Sequence, residues 1–382
     1  MCIRDRRNGV TVHRWIGQHI FAPYPMLRPW TPMAARRDLR DAERFTELLD
    51  EFRPDVVSWW SLYGVAKILL PIPIARGIPD VHWIEHWWMI AEYGRSGEIP
   101  AAFWKSVWDG EWGPQPMRPL FRGFGRAWER RVAARGLPTR EFPNRPTHVC
   151  FVSEYLRDLH REAGISFPST QIIHGGVPVD AFYAPREPRS ATAPLRLLYA
   201  GQLSADRGLH TVVEALGALA PESRSRATLS VAGSSASSDY QDRVAKLVSK
   251  LGLDGCVTFL GRVPHAEMKR TFSQHDVLVF PSMREEGLPL TMVEAMLAGC
   301  AVVTTGSGGA IEVAKAADLP MFPKGDAEAL GRLLASLIAS PQDVAQLAAR
   351  CQQVALSEFS LERMMQRWIA TLERIVSKAA AT

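Results

Sequence analysis

The sequence predicts an α/β protein with two domains, each built around a parallel β-sheet. Three observations support this fold class. The length of 382 residues exceeds the usual size of one domain. The composition, 47% hydrophobic and 22% charged, provides enough apolar material for two soluble cores. Short apolar segments alternate with segments of helical spacing, as in β-α-β units.

Five strand-like segments in the second half of the chain define the clearer domain. Amphipathic segments separate them, for example YQDRVAKLVSKLG at 240–252 and TMVEAMLAG at 291–299. Short apolar strands that alternate with helices indicate a parallel sheet covered on both faces. We therefore predict a Rossmann-like domain over residues 195–359. Its predicted strands are LRLLYAG (195–201), ATLSVAG (227–233), CVTFLG (256–261), DVLVFPS (276–282) and AVVTT (301–305).

The first half of the chain predicts a second Rossmann-like domain over residues 1–176. DLRDAERFTELLDEF at 38–52 is its helix candidate, and a Trp-, Arg- and Pro-rich stretch at about 92–146 is a predicted insert because it lacks β-α rhythm. Residues 177–194 form a predicted interdomain linker, and 360–382 a long amphipathic helix. The predicted strands are GVTVHRWIG (9–17), PDVVSWWS (54–61), VHWIEHWWM (81–89) and HVCFVS (148–153).

Charge and tryptophan are concentrated in the first half. Residues 1–190 carry 26 Lys and Arg against 21 Asp and Glu, and residues 191–382 carry 19 of each, so the net charge of +5 lies in the first half. Eleven of the twelve tryptophans lie there too. This favours contact with an anionic or interfacial partner, although a basic solvated surface over an aromatic core gives the same pattern. Five cysteines without a C-x-x-C pair predict reduced thiols in a cytosolic protein.

The segment EEGLPLTMVEAMLAG carries two carboxylates, Glu286 and Glu294, just after a predicted strand. Ligands of open parallel sheets bind at the carboxyl ends of the strands. The helix predicted to start near Leu290 offers free N–H groups to a phosphate, which leaves the carboxylates to bind hydroxyl groups. A ligand with both groups is a nucleotide sugar. The alternative is that acidic residues near the start of a helix only stabilise its dipole.

With these residues in view, the sequence resembles the retaining glycosyltransferases of the GT-B fold, specifically glycosyltransferase family 4. The resemblance implies two Rossmann-like domains with a cleft between them and a last helix that crosses back to the first domain. It is strongest over residues 148–313 and extends to 50–90. The matching segments are the E-x7-E pair Glu286 and Glu294, LLYAGQLSADRGLHTVVEAL (197–216), HVCFVSEYLRDLH (148–160), IIHGGVPVDAF (172–182), VTFLGRVP (257–264) and SGGAIEV (307–313).

The resemblance implies roles for individual residues. Glu294 would bind the ribose hydroxyls, Glu286 the transferred sugar, and Arg207 the diphosphate in place of the family's usual lysine. Gln202 departs from the family, which usually has an arginine there, so stabilisation of the leaving diphosphate would be weaker. The main chain near Gly261 to Val263 would contact the base. The other implied donor contacts are Gly201, Gly287, Leu288, Leu290 and Thr291.

Two histidines of the predicted strand VHWIEHWWM are candidates for the sugar-facing histidine of that family. His86 ends the strand and matches the family position, although Trp87 replaces the usual Asp or Asn after it. We therefore predict His86 as a catalytic residue. His82 is the competitor, but its offset along the strand is equally consistent with a core residue.

The implied reaction moves a hexose from a nucleotide diphosphate sugar to a glycan or glycolipid acceptor, with retention of anomeric configuration. No metal or other cofactor is expected, because no Asp-x-Asp pair or His/Cys ligand cluster occurs in the sequence. We expect a cytoplasmic protein at the inner face of the plasma membrane, in peripheral contact with anionic lipid and without a nucleic-acid partner.

The alternatives are a sugar-nucleotide epimerase of the same fold or a non-catalytic nucleotide-sugar-binding subunit, which Gln202 favours. A phosphorylase would need a cofactor lysine.

The beginning of the chain departs from the family pattern. MCIRDRR at 1–7 fits neither a strand nor a helix start, and the segment after it resembles the family's second strand. We therefore expect that the first domain lacks its first strand and first helix, and that the first residues are not native coding sequence.

Overall fold

The computed structural model describes residues 3–7, 10–14, 31–60, 69–93, 114–135, 146–185, 192–235 and 238–381. The chain forms two compact units. The first unit comprises Met1–Phe151, Arg157–Ile172 and Ala370–Thr382, and the second comprises Val152–Leu156 and Ile173–Ile369.

The first unit contains a hairpin that the sequence interpretation missed. Strands β1 (Ile3–Arg7) and β2 (Val10–Arg14) pair antiparallel in a two-stranded sheet of their own. The prediction that residues 1–7 form no strand was therefore wrong, and β2 is not part of the parallel sheet. Arg7 pairs with Val10, which leaves a two-residue connection, Asn-Gly. Asn-Gly is the strongest short hairpin signal, and it was overlooked.

Four parallel strands form the main sheet of the first unit, in the order β3-β4-β5-β6. They are β3 (Val57–Trp60), β4 (Asp80–Ile84), β5 (His148–Phe151) and β6 (Thr170–Ile172). All residues of β4 and β5 are buried, as expected for central strands of a sheet covered on both faces. Helix α1 (Thr31–Phe52) contributes Leu39, Ala42 and Leu49 to the core. Short helices α2 (Pro71–Ala75) and α3 (Trp88–Tyr93) follow β3 and β4.

The predicted insert at 92–146 contains a regular helix. Helix α4 spans Arg118–Ala133, so this part of the insert is helical although the sequence shows no β-α rhythm there. Proline and glycine in this segment made a helix look unfavourable from the sequence. Pro119, however, lies in the first turn of the helix, where its missing N–H group costs no helical hydrogen bond. Residues 94–113 and 136–145 of the insert lie outside the described residues.

The second unit is the Rossmann-like domain that the sequence predicted. Its parallel sheet has the order β11-β10-β7-β8-β9, with the first strand in the centre. The strand order changes direction between β7 and β10, and ligands of such sheets bind at the carboxyl ends of the strands on either side of that point. The strands are β7 (Leu195–Ala200), β8 (Ala227–Ala232), β9 (Val257–Gly261), β10 (Val277–Phe280) and β11 (Ala301–Thr304).

Helices flank this sheet and bury an apolar core that includes Leu197, Val279, Met292 and Val302. Helix α5 (Glu154–Glu162) begins in the second unit and ends in the first. The remaining helices are α6 (Val179–Phe182), α7 (Leu209–Gly217), α8 (Pro221–Arg224), α9 (Ser238–Lys250), α10 (His265–Ser273), α11 (Leu290–Leu297), α12 (Ala310–Ala317), α13 (Ala327–Ala339), α14 (Pro341–Glu358) and α15 (Leu361–Ala380).

The segment predicted as a linker is partly built into the second unit. Val177 forms a parallel bridge with Ser360, and Phe182 lies in the core. The last helix, α15, belongs to the second unit as far as Ile369 and to the first unit from Ala370. In the first unit, Thr371 and Arg374 of this helix donate hydrogen bonds to Gln171 of β6. Within the described ranges, no helix has the length and hydropathy needed to cross a membrane.

Candidate functional site

A cavity of about 480 Å³ opens at the carboxyl ends of β7 and β8 in the second unit. Five of the predicted donor-binding residues line it: Gly201, Gln202, Val263, Thr291 and Glu294. The sequence interpretation missed other lining residues, among them Ser234, Ser235, Arg262, His265 and Met268. The cavity lies beside the point where the strand order changes direction, between β7 and β10, and at the carboxyl edge of the sheet, where this fold binds ligands.

Buried polar contacts hold the loop after β7 in place. The Tyr199 hydroxyl donates a hydrogen bond to the carbonyl oxygen of Gln202 over 2.7 Å. Burial raises the pKa of Tyr199, so its hydroxyl stays neutral and keeps its proton for this bond. Gly208 has φ +75°, and a Cβ there would lie 2.1 Å from the Pro281 carbonyl oxygen. Only glycine therefore allows the end of this loop to approach the end of β10.

Arg207 and Glu286 form an ion pair between the loops that follow β7 and β10. Nη1 of Arg207 donates to Oε1 of Glu286, and Ser282 Oγ lies 3.0 Å from the same carboxylate oxygen. The two side chains are 26% and 15% exposed, so the pair is partly shielded from water. Nε of Arg207 is buried and has no hydrogen-bond partner among the described residues. An oxygen of a bound ligand that reached this donor would gain a charge-assisted hydrogen bond.

The backbone of Glu286 is fixed by the start of the SGGAIEV segment. Gly309 N donates to the Glu286 carbonyl oxygen over 2.7 Å, and Glu286 forms an isolated parallel bridge with Gly308. A Cβ on Gly309 would lie 1.9 Å from the carbonyl oxygen of Gly287. Gly308 has φ +57°, and a Cβ there would lie 2.4 Å from the Glu286 carbonyl oxygen, so Gly308 and Gly309 are both required for the loop that carries Glu286 to adopt this position.

Glu294 occupies the second turn of α11 and reaches the cavity. Its Oε1 lies 3.2 Å from Nε2 of His265, the first residue of α10. Burial raises the pKa of Glu294, and the hydrogen bond and charge of His265 act in the opposite direction. The helix itself begins at Leu290, as predicted, so its first N–H groups lie beside Thr291 at the cavity.

The remaining predicted donor contacts are Leu288, Leu290 and Gly261. The side chains of Leu288 and Leu290 face Gly175, where a Cβ would lie 3.5 Å and 3.3 Å from them. Gly261 ends β9 with φ +68°, and its carbonyl oxygen accepts a hydrogen bond from Gly233 N over 2.8 Å.

The two histidine candidates lie in the first unit and differ in environment. His82 is buried, and its Nε2 lies 2.8 Å from Oδ2 of Asp80, whose other oxygen accepts a hydrogen bond from Thr147 N. His82 is thus a core residue. His86 follows β4, and its Nδ1 accepts a hydrogen bond from Trp88 N over 3.2 Å. Its catalytic role stays a prediction.

Glu312 is a partly buried carboxylate, with its side chain 11% exposed, for which the sequence interpretation assigned no role. It accepts hydrogen bonds from the backbone N–H groups of Glu154 and Tyr155, each 3.0 Å long, and lies 2.9 Å from His174 Nε2. Burial acts to raise the pKa of Glu312, but His174 and the two N–H groups outweigh it, so the pKa lies below its ordinary value. Glu312 therefore caps the N-terminus of α5 from a distant part of the chain. The one sequence feature that could have pointed to Glu312 was its place in the SGGAIEV segment (307–313), which matches the family pattern.

The comparisons with known proteins agree with this architecture. The family model for glycosyltransferase family 4 matches residues 5–181, and the model for glycosyl transferases group 1 matches residues 184–355. Each half of the chain thus matches a family model of glycosyltransferase domains. No group of three His, Cys, Asp or Glu side chains suited to a metal ion occurs in the described parts of these domains. The expectation of catalysis without a metal stays a prediction.

Two curated relatives are named for amylovoran biosynthesis and for lipopolysaccharide. The amylovoran biosynthesis glycosyltransferase AmsK of Erwinia amylovora is 27% identical over 191 residues, which is 48% of this chain and 45% of that protein. The lipopolysaccharide 1,2-N-acetylglucosaminetransferase of Salmonella typhimurium is 25% identical over 248 residues, 60% of this chain and 62% of that protein. The chain thus spans less than two thirds of the length of these relatives.

Solved structures share the fold over most of the chain. Anabaena HepE in complex with UDP has a TM-score of 0.66 at 18% identity, covering 90% of this chain and 83% of that one. Sucrose-phosphate synthase of Thermosynechococcus elongatus has a TM-score of 0.65 at 17% identity, and the match covers 100% of this chain and 86% of that one. At these identities the likeness establishes the fold, and the fold is GT-B.

Proposed function

We propose that the protein transfers a hexose from a nucleoside diphosphate sugar to a glycan or glycolipid acceptor, with retention of anomeric configuration. The observation that carries this proposal is the Arg207–Glu286 pair at the point where the strand order changes, next to the cavity that holds Glu294. A cation for a diphosphate and two carboxylates for hydroxyl groups are the polar groups that such a donor needs.

The proposed division of work follows from the chemistry of the donor. Negative charge develops on the diphosphate as it leaves, and Arg207 together with the N-terminal amides of α11 would stabilise it. Gln202 lines the cavity and supplies hydrogen bonds without charge, so Arg207 would be the main cation for the leaving group. Glu294 would accept hydrogen bonds from the ribose, and Glu286 would orient the transferred sugar through its hydroxyls.

Uridine diphosphate sugars are the first donors to test. HepE of Anabaena has been crystallised with UDP-glucose, and its fold matches 90% of this chain with a TM-score of 0.63. The relatives named for amylovoran and lipopolysaccharide assembly support a glycan or lipid-linked acceptor. The arginine-rich helix α4 supports contact with anionic membrane at the cytoplasmic side, where nucleotide sugars are available.

The proposal is tested with radiolabelled UDP-glucose, UDP-galactose and UDP-N-acetylglucosamine and a lipid extract as acceptor. We expect donor-dependent label transfer and slow donor hydrolysis without acceptor. The anomeric configuration of the product, measured by proton NMR, should match that of the donor. Gln202 favours one rival, a non-catalytic nucleotide-sugar-binding subunit. Saturable nucleotide binding without hydrolysis or transfer would establish that rival and contradict the proposed function.

A further inference from the structure

His265 contacts the carboxylate that the proposed function assigns to the ribose. Nε2 of His265 lies 3.2 Å from Oε1 of Glu294, and both side chains line the same cavity. His265 is the first residue of α10, whereas Glu294 belongs to α11. The contact therefore joins two separate helices at the edge of the cavity.

The surroundings hold the imidazole in a defined place. Its ring packs edge-on against the ring of Phe182, with centroids 5.3 Å apart and an interplanar angle of 69°. Phe182 is buried in the core of the second unit, so it is a rigid support. The His265 side chain is nevertheless 75% exposed. An ion pair as exposed as this contributes little to folding stability, so the contact is better explained by what it does to Glu294.

The contact makes the two oxygens of Glu294 unequal. Oε1 contacts His265, while Oε2 accepts no hydrogen bond from any described residue. The Glu294 side chain is only 15% exposed, so the few positions open to Oε2 are toward the cavity. A carboxylate without this anchor could rotate and present either oxygen.

We propose that His265 is a positioning residue that holds Glu294 by Oε1 and directs Oε2 to the ribose hydroxyls of the nucleotide donor. This inference rests on the proposed function, because it requires a nucleotide in the cavity. His265 acts through Glu294 and takes no part in bond making. It makes the cavity selective for ribonucleotides over 2′-deoxyribonucleotides, because a fixed acceptor without its hydroxyl partner is left unpaired.

Calorimetric titration of the full chain tests the inference, with UDP, ADP and GDP and their 2′-deoxy counterparts as probes. The variants are His265→Ala, His265→Gln, which keeps an N–H donor, and Glu267→Ala as an exposed control on the same helix. We expect His265→Ala to raise the Kd of the ribonucleotide roughly tenfold, the scale of one hydrogen bond to a charged group. His265→Gln should restore most of the affinity, and Glu267→Ala should leave it unchanged.

The 2′-deoxy probes distinguish a role of His265 in positioning Glu294 from a direct contact of His265 with another part of the ligand. If His265 acts through Glu294 on the ribose, His265→Ala should have little further effect on a ligand that lacks the hydroxyl, as in a double-mutant cycle. In turnover, the KM of the donor should rise while kcat stays within about twofold of the wild-type value.

Three results would overturn the inference. Equal loss of affinity for the ribo and deoxy probes would show that His265 contacts another part of the ligand. Unchanged affinity in His265→Ala would remove the role of His265 while leaving the proposed function intact. If the wild-type chain binds none of the three nucleotides, the proposed function fails, and this inference fails with it.

Discussion

Arg207 donates a hydrogen bond from Nη1 to Oε1 of Glu286, and this ion pair links the loops after β7 and β10. Ser282 and the backbone of Gly309 hold the same glutamate from its side chain and its carbonyl group. A movement of the arginine toward a diphosphate therefore changes the surroundings of the carboxylate proposed to hold the sugar. The two proposed ligand contacts are coupled before any substrate arrives.

Replacing Arg207 tests the proposed diphosphate contact. We expect Arg207→Ala to lower kcat/KM at least tenfold, about 1.4 kcal/mol in the barrier, because a charge-assisted bond to the leaving group is lost. Arg207→Lys should retain part of the activity, since lysine keeps the positive charge but loses the planar fork of donors. The melting temperature should change little, because the pair is partly exposed. Arg332→Ala, which removes an exposed surface pair with Glu328, is the control. An unaltered kcat at saturating donor would remove Arg207 from the mechanism.

Glu294→Gln should weaken the binding of the donor and should stabilise the ligand-free protein against unfolding. Burial raises the pKa of Glu294, so its charged form is less favourable in the folded than in the unfolded chain. This penalty is present at neutral pH and disappears as the pH falls through the raised pKa. The variant should therefore melt above the wild type at pH 7, and the two melting temperatures should converge at low pH.

Donor binding to the same variant should lose its pH dependence in this range. The wild type should lose affinity for UDP as Glu294 is protonated, because a carboxylate accepts hydroxyl bonds better than a neutral acid. Glu294→Gln should bind weakly and evenly across those pH values. Calorimetric titration at several pH values checks this, and a pH-independent wild-type affinity would count against the ribose contact.

Glu312→Ala should destabilise the second unit. The change leaves two backbone N–H groups of α5 and His174 without their acceptor, at a cost of about 1–3 kcal/mol. Since the pKa of Glu312 lies below the ordinary value of 4.5, its contribution is complete above that pH and is lost as the pH falls through the lowered pKa. Urea unfolding at pH 7 and at pH 3.5 measures both effects. Glu328→Ala, an exposed glutamate, is the control, and equal stability of both variants at pH 7 would refute the capping role.

The sequence predicted the second unit well because its signals are local. Buried strands and amphipathic helices alternate there, and the helix after the two glutamates begins at Leu290 in both the prediction and the structure. The pairing of Arg207 with Glu286 and of His265 with Glu294 was not predicted. Each pair joins residues 29 or more positions apart, so it depends on how the sheet brings its loops together.

The first unit was harder to predict because its signals conflict. Helix α4 carries two glycines and a proline, and its stability comes from the amphipathic face that it presents rather than from propensity. In the β1–β2 hairpin, β2 was predicted as a strand, but β1 is mostly charged and lacks apolar alternation, so only the Asn-Gly connection indicated that the two pair.

Helix α4 is the surface proposed to contact anionic membrane. Arginine recurs every fourth residue at Arg118, Arg122, Arg126 and Arg130, which places the four on one side of the helix. Leu120 is 67% exposed and Met117, just before the helix, is 44% exposed. Basic and apolar side chains together are suited to the interface of an anionic bilayer. The tryptophans at 104, 108 and 112 of the same Trp- and Arg-rich insert lie outside the described residues.

Vesicle co-sedimentation measures this contact. We expect the chain to bind vesicles that contain phosphatidylglycerol, and the bound fraction to fall steeply between 50 mM and 500 mM salt, because exposed charges are screened beyond about 10 Å at 0.1 M. A triple variant, Arg122→Gln, Arg126→Gln and Arg130→Gln, removes three cations from that side of the helix and should bind up to about 100-fold less, since each cation near the surface contributes about 1 kcal/mol. The control replaces three exposed cations of α9 in the second unit, Arg243, Lys246 and Lys250, with glutamine. It has the same net charge, so equal losses in both variants would show a non-specific charge effect. Binding that is absent, or equal at low and high salt, would contradict the membrane contact and favour a soluble acceptor.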